Sequence, residues 1–370
     1  MNILWFTENF PPNKGGMARS CDRIVSNLRK HHQVDVYHFT NKIKPFISQA
    51  NIGGSYTAVP VYEDASHTLN VLWSYISAQK QYSKTTVFVA YGSHLSLKGI
   101  PLYAKWLKLP YLLCLRGNDF DTAIFSNKKP DLLYAIKNAE AVACVSSEKV
   151  ERIKNMDLND KLFFTPNSID ASSWEILDAD LSLAKDTRTG FTVTKTTVIG
   201  LVGYLKQKKG VDFFITTLLK SELSTNMHLR IVGELEPEIE NKLQEWNLSY
   251  SVVVPESQSE LMANYLSCDA IAIPSIYDGM PNVLFEAGIL GVPILASKAG
   301  GLPDVLDDTN AFLFDPLSEE SLLACISQFY RATDENLHEA SKRLKTKLMQ
   351  EFTPEKEVKN YLKIFKQIHN

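Results

Sequence analysis

Residues 274–302 read PSIYDGMPNVLFEAGILGVPILASKAGGL, and this stretch decides the fold. It contains in order a strand end, a turn, a helix start, a short buried strand and a Gly-Gly loop, which make up about one βαβ unit. The turn carries Asp278, and the helix carries Glu286 eight positions later. Pro281 lies where a first helical residue tolerates proline, because its missing amide would have no partner inside the helix. The stretch therefore predicts a helix that begins beside an acidic turn.

The start of this helix suits an anion. Its exposed amides and the positive end of its dipole favour a phosphate at the mouth of the turn. The carboxylates of Asp278 and Glu286 are suited to hydroxyl groups, and a nucleotide sugar carries both kinds of group. A structural explanation is also open, because the dipole alone favours Glu in a first turn and Asp-Gly is an ordinary turn sequence.

The bulk composition predicts a globular protein of two domains. At 370 residues the chain is long enough for two hydrophobic cores, and its hydrophobic content of 45% excludes a disordered chain. No run approaches the ~18 uninterrupted apolar residues of a membrane helix. The N-terminal sequence MNILWFTENF is typical of a strand rather than of a signal peptide. The five cysteines form no C-x-x-C pair, which favours buried reduced thiols in a cytoplasmic protein.

Apolar runs alternate with helical patterns along the whole chain, which is typical of parallel sheets covered by helices. The first half predicts helices that include Met17–Lys30 and Ser147–Lys154, and strands near Asn2–Phe6, Val34–His38, Val87–Ala90, Tyr111–Leu115, Ala141–Val145 and Leu162–Thr165. The second half predicts strands near Thr197–Val202, His228–Val232, Ser251–Val254, Ala270–Pro274, Pro293–Ala296 and Ala311–Phe314. The polar stretch Asp170–Thr196 has no sustained period. It is predicted to connect a domain of residues 1–178 to a domain of residues 190–353.

The motif PS-x-x-D-G-x-P-N-V-L-x-E-A at 274–287, followed by G-x-P-I-L-A and A-G-G, resembles the donor-site signature of the family-four retaining glycosyltransferases. The resemblance covers nearly the whole chain. It implies the GT-B fold, an α/β architecture of two tandem Rossmann-like domains with doubly wound parallel sheets that face each other across a cleft. It also implies that residues 354–370 form a helix packed back on the first domain. The family usually has Glu where this chain has Asp278.

The resemblance implies a donor site on the second domain. VGYLKQKKG at 202–210 is similar to the family's V-G-R-x-x-x-x-K-G, in which the Arg and the Lys neutralise the donor diphosphate. Tyr204 stands in the place of the Arg, and Lys206 or Lys208 is a candidate for the missing charge, although a solvated loop lysine is the alternative for either. Together with the acidic turn, the implied donor-binding residues of this domain are Gly203, Lys209, Asp278, Gly279, Met280, Pro281, Asn282, Val283 and Glu286.

Two stretches of the first domain match the family as well. NFPPNKGGMARSCDRI places Gly15 and Gly16 after the first strand, where the family has a Gly-rich loop that faces donor and acceptor. Glycine suits this position because it allows close backbone approach to a phosphate or a sugar. LLCLRGNDFD places Arg116 and Asp119 where the family commonly has a His-Gly-x-Asp-like stretch with the His near the sugar.

Other polar positions have two interpretations. His94, in YGSHLS, is a second candidate near the sugar, and Asn167, in FFTPNSID, is a candidate for the crevice wall. A structural histidine and a capped turn explain these two as well. Ser259 precedes the acidic turn in the region that contacts the base in relatives, but a helix N-cap explains it nearly as well. The sequence DAD at Asp178–Asp180 is similar to a metal-binding D-x-D, yet no apolar strand flanks it, and we predict no metal site.

The resemblance implies a retaining transfer of a hexosyl unit from a nucleotide-diphosphate sugar to a hydroxyl of a glycan or lipid-linked acceptor, as in the synthesis of bacterial surface polysaccharides. The implied catalytic residues are Arg116, Lys209, Asp278 and Glu286, with no cofactor and no metal requirement. A nucleotide-sugar epimerase or a phosphorylase shares this architecture, and a non-catalytic nucleotide-sugar-binding protein is a third alternative. The absence of a G-x-G-x-x-G or P-loop sequence argues against a dinucleotide oxidoreductase or an NTPase.

Charge is distributed unevenly along the chain. Residues 1–150 contain 17 Lys and Arg against 10 Asp and Glu, whereas the remaining residues contain 22 against 32. The basic first half suggests an anionic surface, such as the inner face of a membrane, or an anionic acceptor, although solvation alone also explains a mild charge bias; we expect no nucleic-acid partner. The sequence KGIPLYAKWLKL, with Lys98, Lys105 and Lys108 around Trp106, is a candidate interfacial segment. An ordinary helix packed on a sheet would have much the same sequence.

Overall fold

The computed structural model describes residues 1–78, 82–83, 85–191, 196–246 and 248–369, which form two compact units. The first unit comprises residues 1–167 and the residues from Pro354 onward. The second unit comprises Ser168–Thr353. The first stretch of the chain therefore leaves the first unit at Asn167 rather than at the predicted residue 178.

An eight-stranded sheet forms the centre of the first unit, with the strand order β3-β4-β2-β1-β5-β6-β7-β8. Its strands are β1 (Asn2–Thr7), β2 (Gln33–Phe39), β3 (Ser48–Asn51), β4 (Gly54–Val59), β5 (Thr86–Tyr91), β6 (Tyr111–Leu115), β7 (Ala141–Cys144) and β8 (Leu162–Phe164). Its helices before Asn167 are α1 (Gly16–Leu28), α2 (Ala65–Ser77), α3 (His94–Leu107), α4 (Asn118–Asp121), α5 (Lys129–Asn138) and α6 (Ser147–Lys154). Every residue of β5 is buried, as expected for a strand covered by helices on both faces.

A six-stranded parallel sheet forms the centre of the second unit, with the strand order β11-β10-β9-β12-β13-β14. Its strands are β9 (Thr197–Val202), β10 (Met227–Val232), β11 (Ser249–Val253), β12 (Ala270–Ile273), β13 (Ile294–Ser297) and β14 (Phe312–Phe314). Its helices are α7 (Asp178–Phe191), α8 (Val211–Leu218), α9 (Pro237–Glu245), α10 (Gln258–Leu266), α11 (Asn282–Leu290), α12 (Glu319–Arg331) and α13 (Asp334–Glu351). The predicted strands and helices of both halves are confirmed, with ends that differ by at most two residues.

The hairpin of β3 and β4 was not predicted from the sequence. It is the antiparallel pair of the first sheet, with Ser48 opposite Thr57 and Asn51 opposite Gly54. All four residues of β3 are exposed, so this edge strand has no apolar alternation. Gly53, in the turn, has a φ of +73°, and a Cβ there would lie 2.4 Å from the Arg29 carbonyl oxygen. The Gly-Gly pair was thus the one sequence signal for this turn.

The polar stretch Asp170–Thr196, predicted to connect the two domains, contains α7 and belongs to the second unit. This prediction was wrong because α7 is attached through polar side chains. Asp180, Ala184 and Arg188 are spaced by four residues, and Arg188 donates to the Asp269 carboxylate at 2.8 and 3.0 Å. Of these three residues only Ala184 is apolar, so the attached face of α7 shows no hydrophobic periodicity in the sequence. Residues 192–195 lie outside the described part of the chain.

The C-terminal helix α14 (Pro354–His369) packs against α1 in the first unit. Tyr361 and Phe365 enter the hydrophobic core on that face of the sheet, where the Tyr361 ring lies 6.3 Å from the Trp5 ring. These buried residues follow a helical spacing, so one face of α14 is apolar and the other is charged. Residue 370, the last of the predicted helix, lies outside the described residues.

The five cysteines, all in the described part of the chain, are buried and free of disulfide bonds. The prediction of buried thiols is therefore confirmed. None of the described helices is both long enough and apolar enough to cross a bilayer.

Both sheets reverse their winding direction beside their first strand. β1 lies between β2 and β5, and β9 lies between β10 and β12. In open α/β sheets, ligands bind at the carboxyl ends of the strands next to this reversal. Gly15 follows β1, Gly203 follows β9 and Asp278 follows β12. The predicted site residues therefore lie at the expected edge of their own sheet.

Candidate functional site

Two loops of the second unit meet at the carboxyl ends of β9 and β12. The loop after β9 forms a 3₁₀ turn at Gln207–Lys209, and Ile276 donates its amide to the Lys208 carbonyl oxygen at 2.9 Å. Gly210 follows with a φ of +66°, and a Cβ there would lie 2.0 Å from the Pro274 carbonyl oxygen. Glycine is needed at this position because the two loops approach so closely.

Lys209 and Asp278 form an ion pair between these two loops. Lys209 Nζ donates to Asp278 Oδ2, and Lys208 Nζ lies 4.0 Å from Oδ1. The Gly279 amide also donates to Oδ1, at 2.8 Å. Burial acts to raise the pKa of Asp278, but the two lysines and the amide outweigh burial and hold this pKa below its usual range. Asp278 is therefore ionised near neutral pH, and two ammonium groups lie beside it.

The Gly-Gly loop after β13 supports the acidic turn. Gly300 has a φ of +56°, and a Cβ there would lie 1.8 Å from the Asp278 carbonyl oxygen. Gly301 donates its amide to the Gly279 carbonyl oxygen at 2.7 Å, and Met280 packs against it. The A-G-G sequence therefore sets the backbone position of the turn rather than contacting a ligand through side chains.

Helix α11 begins at Asn282, and Pro281 is its N-cap with an extended ψ of 137°. The expectation that Pro281 is the first helical residue was thus wrong by one position. The side chain of this cap makes no hydrogen bond to the helix start, since proline carries no acceptor group. Lys209, Pro281 and Val283 line one small cavity, which places the lysine next to the beginning of α11. The positive end of the α11 dipole and the ammonium group of Lys209 are therefore adjacent.

Glu286 lies one turn inside α11 and is buried. Its Oε2 accepts a hydrogen bond of 2.7 Å from the hydroxyl of Tyr265, a buried residue of α10. Tyr265 also contacts the ring of Trp174 edge-on at 6.3 Å. The sequence motif indicated Glu286, but Tyr265 was missed because nothing in its local sequence distinguishes it from a core tyrosine.

Tyr204 and Lys206 lie on the loop after β9. Tyr204 is exposed, and Lys206 Nζ lies 4.5 Å from the centre of its ring. Lys208 Nζ lies 5.6 Å from the centre of the Tyr277 ring in the same way. Lys208 rather than Lys206 is the second ammonium group beside Asp278 in the described structure. Tyr204, in the place of the family's arginine, thus forms a cation–π contact with Lys206.

Arg116 is buried in the first unit and makes several hydrogen bonds there. Its Nη1 donates to the Thr165 carbonyl oxygen at 3.0 Å and to the Tyr361 hydroxyl at 3.4 Å. Its Nη2 donates to Asn167 Oδ1, and its guanidinium lies 5.7 Å from the centre of the Tyr91 ring. The structure therefore brings Arg116 and Asn167 together and ties both to the C-terminal helix.

Asp119 and His94 also have partners within the first unit. Asp119 accepts the amides of Arg116 at 2.7 Å and of Gly117 at 2.6 Å, so it holds the turn after β6. His94 Nε2 lies 3.2 Å from Asp131 Oδ2, at the start of α5. The contact of His94 matches its structural interpretation, and Asp119 has a structural role in the turn that the sequence did not indicate.

The Gly-rich loop ends where α1 begins. Gly15 is the N-cap of α1 with a φ of +116°, and Gly16 is the first helical residue. A Cβ built at Gly15 would have no neighbour within 4 Å, so the space around this cap is open. Its glycine is required by the backbone dihedral angle rather than by crowding.

Some expectations on the second unit are corrected by its hydrogen bonds. Ser257, not Ser259, caps α10 and accepts the Glu260 amide at 3.1 Å. Ser259 instead donates to Asp180, which also accepts the Leu177 amide at 3.0 Å. The DAD sequence therefore opens α7 and anchors it. Among the described residues, no three His, Cys, Asp or Glu side chains converge as a metal ion would require.

Two ion pairs of the first unit were not predicted from the sequence. Arg23, on α1, pairs with Glu357, on α14. Lys149 Nζ lies 2.9 Å from Asp121 Oδ2, and both side chains are almost fully buried. The members of each pair are too far apart in the chain for any local pattern to indicate them.

Comparison with known proteins finds similarity to glycosyltransferases. Residues 196–332 match the family model described as "Glycosyl transferases group 1". Over 361 residues, the chain is 22% identical to an uncharacterized glycosyltransferase from Methanocaldococcus jannaschii. This alignment covers 87% of each of the two proteins. The chain also resembles Alr3699/HepE from Anabaena, solved in complex with UDP, with a TM-score of 0.76 and 16% identity over 98% of this chain and 99% of that one. The chain has a fold of the GT-B type, and its second half is similar to the group 1 glycosyltransferases.

The chain is also 24% identical over 201 residues to the glycogen synthase of Deinococcus deserti. That match covers 54% of the chain and 44% of the relative, so the chain spans less than half of the length of that protein. The α/β fold of the GT-B type, predicted from the sequence, is confirmed. The residues implied for the donor side, from Gly203 to Glu286, all lie within the region that matches the family model.

Proposed function

We propose that this protein is a glycosyltransferase that moves a hexosyl unit, with retention of anomeric configuration, from a nucleotide-diphosphate sugar to a hydroxyl of a glycan or lipid-linked acceptor. One observation carries the proposal. The Lys209–Asp278 pair lies beside the start of α11, so an ammonium group and the positive end of a helix dipole are combined with a carboxylate in one place. A diphosphate needs the first two features, and the sugar hydroxyls need the third.

In the proposed complex, Lys209 and the amides near Asn282 bind the diphosphate, Asp278 binds sugar hydroxyls and Glu286 binds the ribose. The ion pair gives Lys209 a partner until the diphosphate arrives. The diphosphate gains negative charge as the glycosidic bond breaks, so Lys209 stabilises the transition state more than the ground state. The departing phosphate accepts the proton of the acceptor hydroxyl, and the proposed reaction requires no metal or cofactor.

For the first unit, we propose that Arg116 positions the turn at residues 116–119 rather than contacting the donor. Its two terminal nitrogens already donate to Thr165, Asn167 and Tyr361. The open space around Gly15 suits the acceptor. An acceptor of a bacterial surface polysaccharide, and peripheral contact of the basic first unit with a membrane, are further parts of the proposal.

Binding of UDP and UDP-glucose to the Anabaena protein supports the choice of donor class. Thermal-shift measurements against UDP-, GDP- and ADP-sugars test this choice, because a tight ligand stabilises the folded state. We expect one nucleotide class to raise the melting temperature of the wild-type protein. Lys209→Ala should abolish most of this shift.

Turnover of the identified donor tests the roles of the residues. We expect Lys209→Ala to lower kcat by about 10²–10³-fold, the usual effect of removing a preorganised electrostatic group. Lys208→Ala is the matched control, since its ammonium group is farther from Asp278, and it should lose much less. Equal activity of the wild-type, Lys209→Ala and Glu286→Ala proteins would show that the proposed donor site is wrong. Release of an epimerised donor, or of sugar phosphate in a phosphate-dependent reaction, would instead favour an epimerase or a phosphorylase.

A further inference from the structure

Helices α3 and α5 lie side by side on one face of the first unit. At their N-terminal ends, His94 Nε2 lies 3.2 Å from Asp131 Oδ2. At their C-terminal ends, Lys105 of α3 and Tyr134 and Asn138 of α5 line one groove. The two helices therefore run in the same direction and form a face about 20 Å long, at the usual rise of 1.5 Å per residue. We call this surface the α3–α5 face, and it includes the 3₁₀ turn Ala123–Phe125 that precedes α5.

The α3–α5 face exposes large apolar side chains. Phe125 is 83% exposed and Trp106 is 58% exposed, and Leu102 and Tyr134 are exposed as well. Leu102 and Trp106 are four residues apart on α3, so they lie on the same side of that helix. The Trp106 ring is held edge-on against Trp73 of α2 at 4.8 Å. Its exposed orientation is thus fixed by packing.

The same face is strongly basic. Its lysines are exposed or half-exposed, and none forms an ion pair with a described residue: Lys98, Lys105, Lys108, Lys128, Lys129 and Lys137. Residues 94–140 contain four acidic residues. Two of these are buried, Asp119 and Asp121, and the other two are paired, Asp131 with His94 and Glu140 with Lys161. The exposed charge that remains on the face is therefore positive.

We propose that the α3–α5 face docks on an anionic lipid bilayer, with its lysines among the headgroups and with Phe125 and Trp106 at the boundary of the acyl chains. Unpaired lysines around exposed aromatic residues are the combination that interfacial binding requires. An acidic protein or a nucleic acid would use the lysines but would leave Phe125 without a function. The inference names the surface for the membrane contact proposed above, and it does not depend on the transfer reaction.

Sedimentation with vesicles tests the inference on the full-length protein without a donor. We expect binding to vesicles of phosphatidylcholine with phosphatidylglycerol, and little binding to phosphatidylcholine alone. The variant Lys105→Glu/Lys108→Glu/Lys137→Glu should bind the anionic vesicles at least about tenfold more weakly, since each lysine near an anionic surface contributes to binding. The matched control is Lys44→Glu/Lys185→Glu/Lys363→Glu, which has the same net charge with the changes on other exposed surfaces, and it should bind like the wild type.

A second pair of variants tests the apolar part. Phe125→Ser should weaken vesicle binding several-fold, whereas Ile52→Ser should not, although Ile52 is 97% exposed on the β3–β4 turn. Equal binding of the two lysine triple variants, or equal binding of the two serine variants, would overturn the inference. Retention on heparin without vesicle binding would do so as well and would favour an acidic macromolecule. Since donor binding is measured separately by thermal shift, the failure of this inference and that of the proposed function are distinguishable.

Discussion

Glu357 accepts two hydrogen bonds from Arg23, with Nε 2.9 Å from Oε2 and Nη2 3.0 Å from Oε1. Arg23 lies on α1 and Glu357 on α14, so this pair fastens the C-terminal helix to the helix that begins at the Gly-rich loop. The Glu357 side chain is almost fully buried. Such a two-pronged pair fixes geometry as well as adding energy.

Removal of Glu357 should destabilise the protein. Glu357→Ala leaves the largely buried guanidinium of Arg23 without its anion, and breaking a buried pair in this way costs about 3–5 kcal/mol. Urea unfolding measures the loss. Glu319→Ala is the control, because Glu319 and its partner Lys220 are both more than half exposed, and it should cost less than about 1 kcal/mol. The double variant Arg23→Met/Glu357→Leu should recover most of the lost stability, and equal costs for Glu357→Ala and Glu319→Ala would contradict the argument.

Gly300→Ala should disrupt the acidic turn. Its Cβ would lie 1.8 Å from the Asp278 carbonyl oxygen, so the turn that carries Asp278 has to move. Gly291→Ala is the control, since Gly291 also has a positive φ, +76°, but its Cβ would meet no atom within 4 Å. Gly291→Ala should cost about 1–2 kcal/mol of stability through backbone strain alone and leave nucleotide binding unchanged. Calorimetric titration with the nucleotide should find no binding by Gly300→Ala, and wild-type affinity in that variant would refute the role of the Gly-Gly loop.

Tyr265 should act on the nucleotide through Glu286. Tyr265→Phe removes the 2.7 Å hydrogen bond to Glu286 Oε2 while keeping the ring. A hydrogen bond to a charged group is worth about 1.5–3 kcal/mol, so we expect a loss of roughly tenfold or more in nucleotide affinity. Tyr330→Phe, on an exposed position of α12, should have no effect. Calorimetry gives the affinity and thermal unfolding gives the stability. A change in stability alone would indicate that Tyr265 has only a structural role.

His38 should make stability depend on pH. It is buried at the end of β2, with Nδ1 2.9 Å from the Tyr56 hydroxyl and Nε2 3.1 Å from Asn13 Nδ2. The Asn13 amide nitrogen is a donor, so a neutral imidazole that accepts at Nε2 fits this site. Burial lowers the pKa of His38 from 6.5 to about 4; a hydrogen bond with the Glu8 backbone opposes this shift, and Lys42 adds a smaller contribution to it.

The sign of this pH effect follows from proton binding. Between pH 4 and pH 6.5 the unfolded chain binds a proton at His38 that the folded protein does not. Stability is therefore complete above the unfolded pKa and falls as the pH drops toward the folded pKa, by about 3 kcal/mol in total. His38→Asn should flatten the dependence of the unfolding free energy on pH, and His67→Asn, on the exposed side of α2, should not. An unchanged slope in His38→Asn would assign the pH dependence to other groups.

The sequence by itself determined that the chain forms two sheets, where their main strands lie along the chain, and the donor-side motif. Parallel strands that are covered on both faces need continuous apolar runs, as in β5, and a phosphate-binding helix start needs a defined turn, as at Asp278 and Gly279. These requirements act over a few residues. A single sequence therefore displays them, and the strands of the second unit and the position of α11 were predicted within two residues.

Only the tertiary structure decided which side chains meet. Lys209 and Asp278 are separated by 69 positions, and Arg23 and Glu357 by 334. The partners of Arg116 and the polar attachment of α7 through Arg188 and Asp269 are likewise invisible in any local window. Ion pairs and hydrogen bonds depend on distances of about 3 Å between atoms that the fold brings together. Local periodicity records only burial, so it carries no information about these contacts.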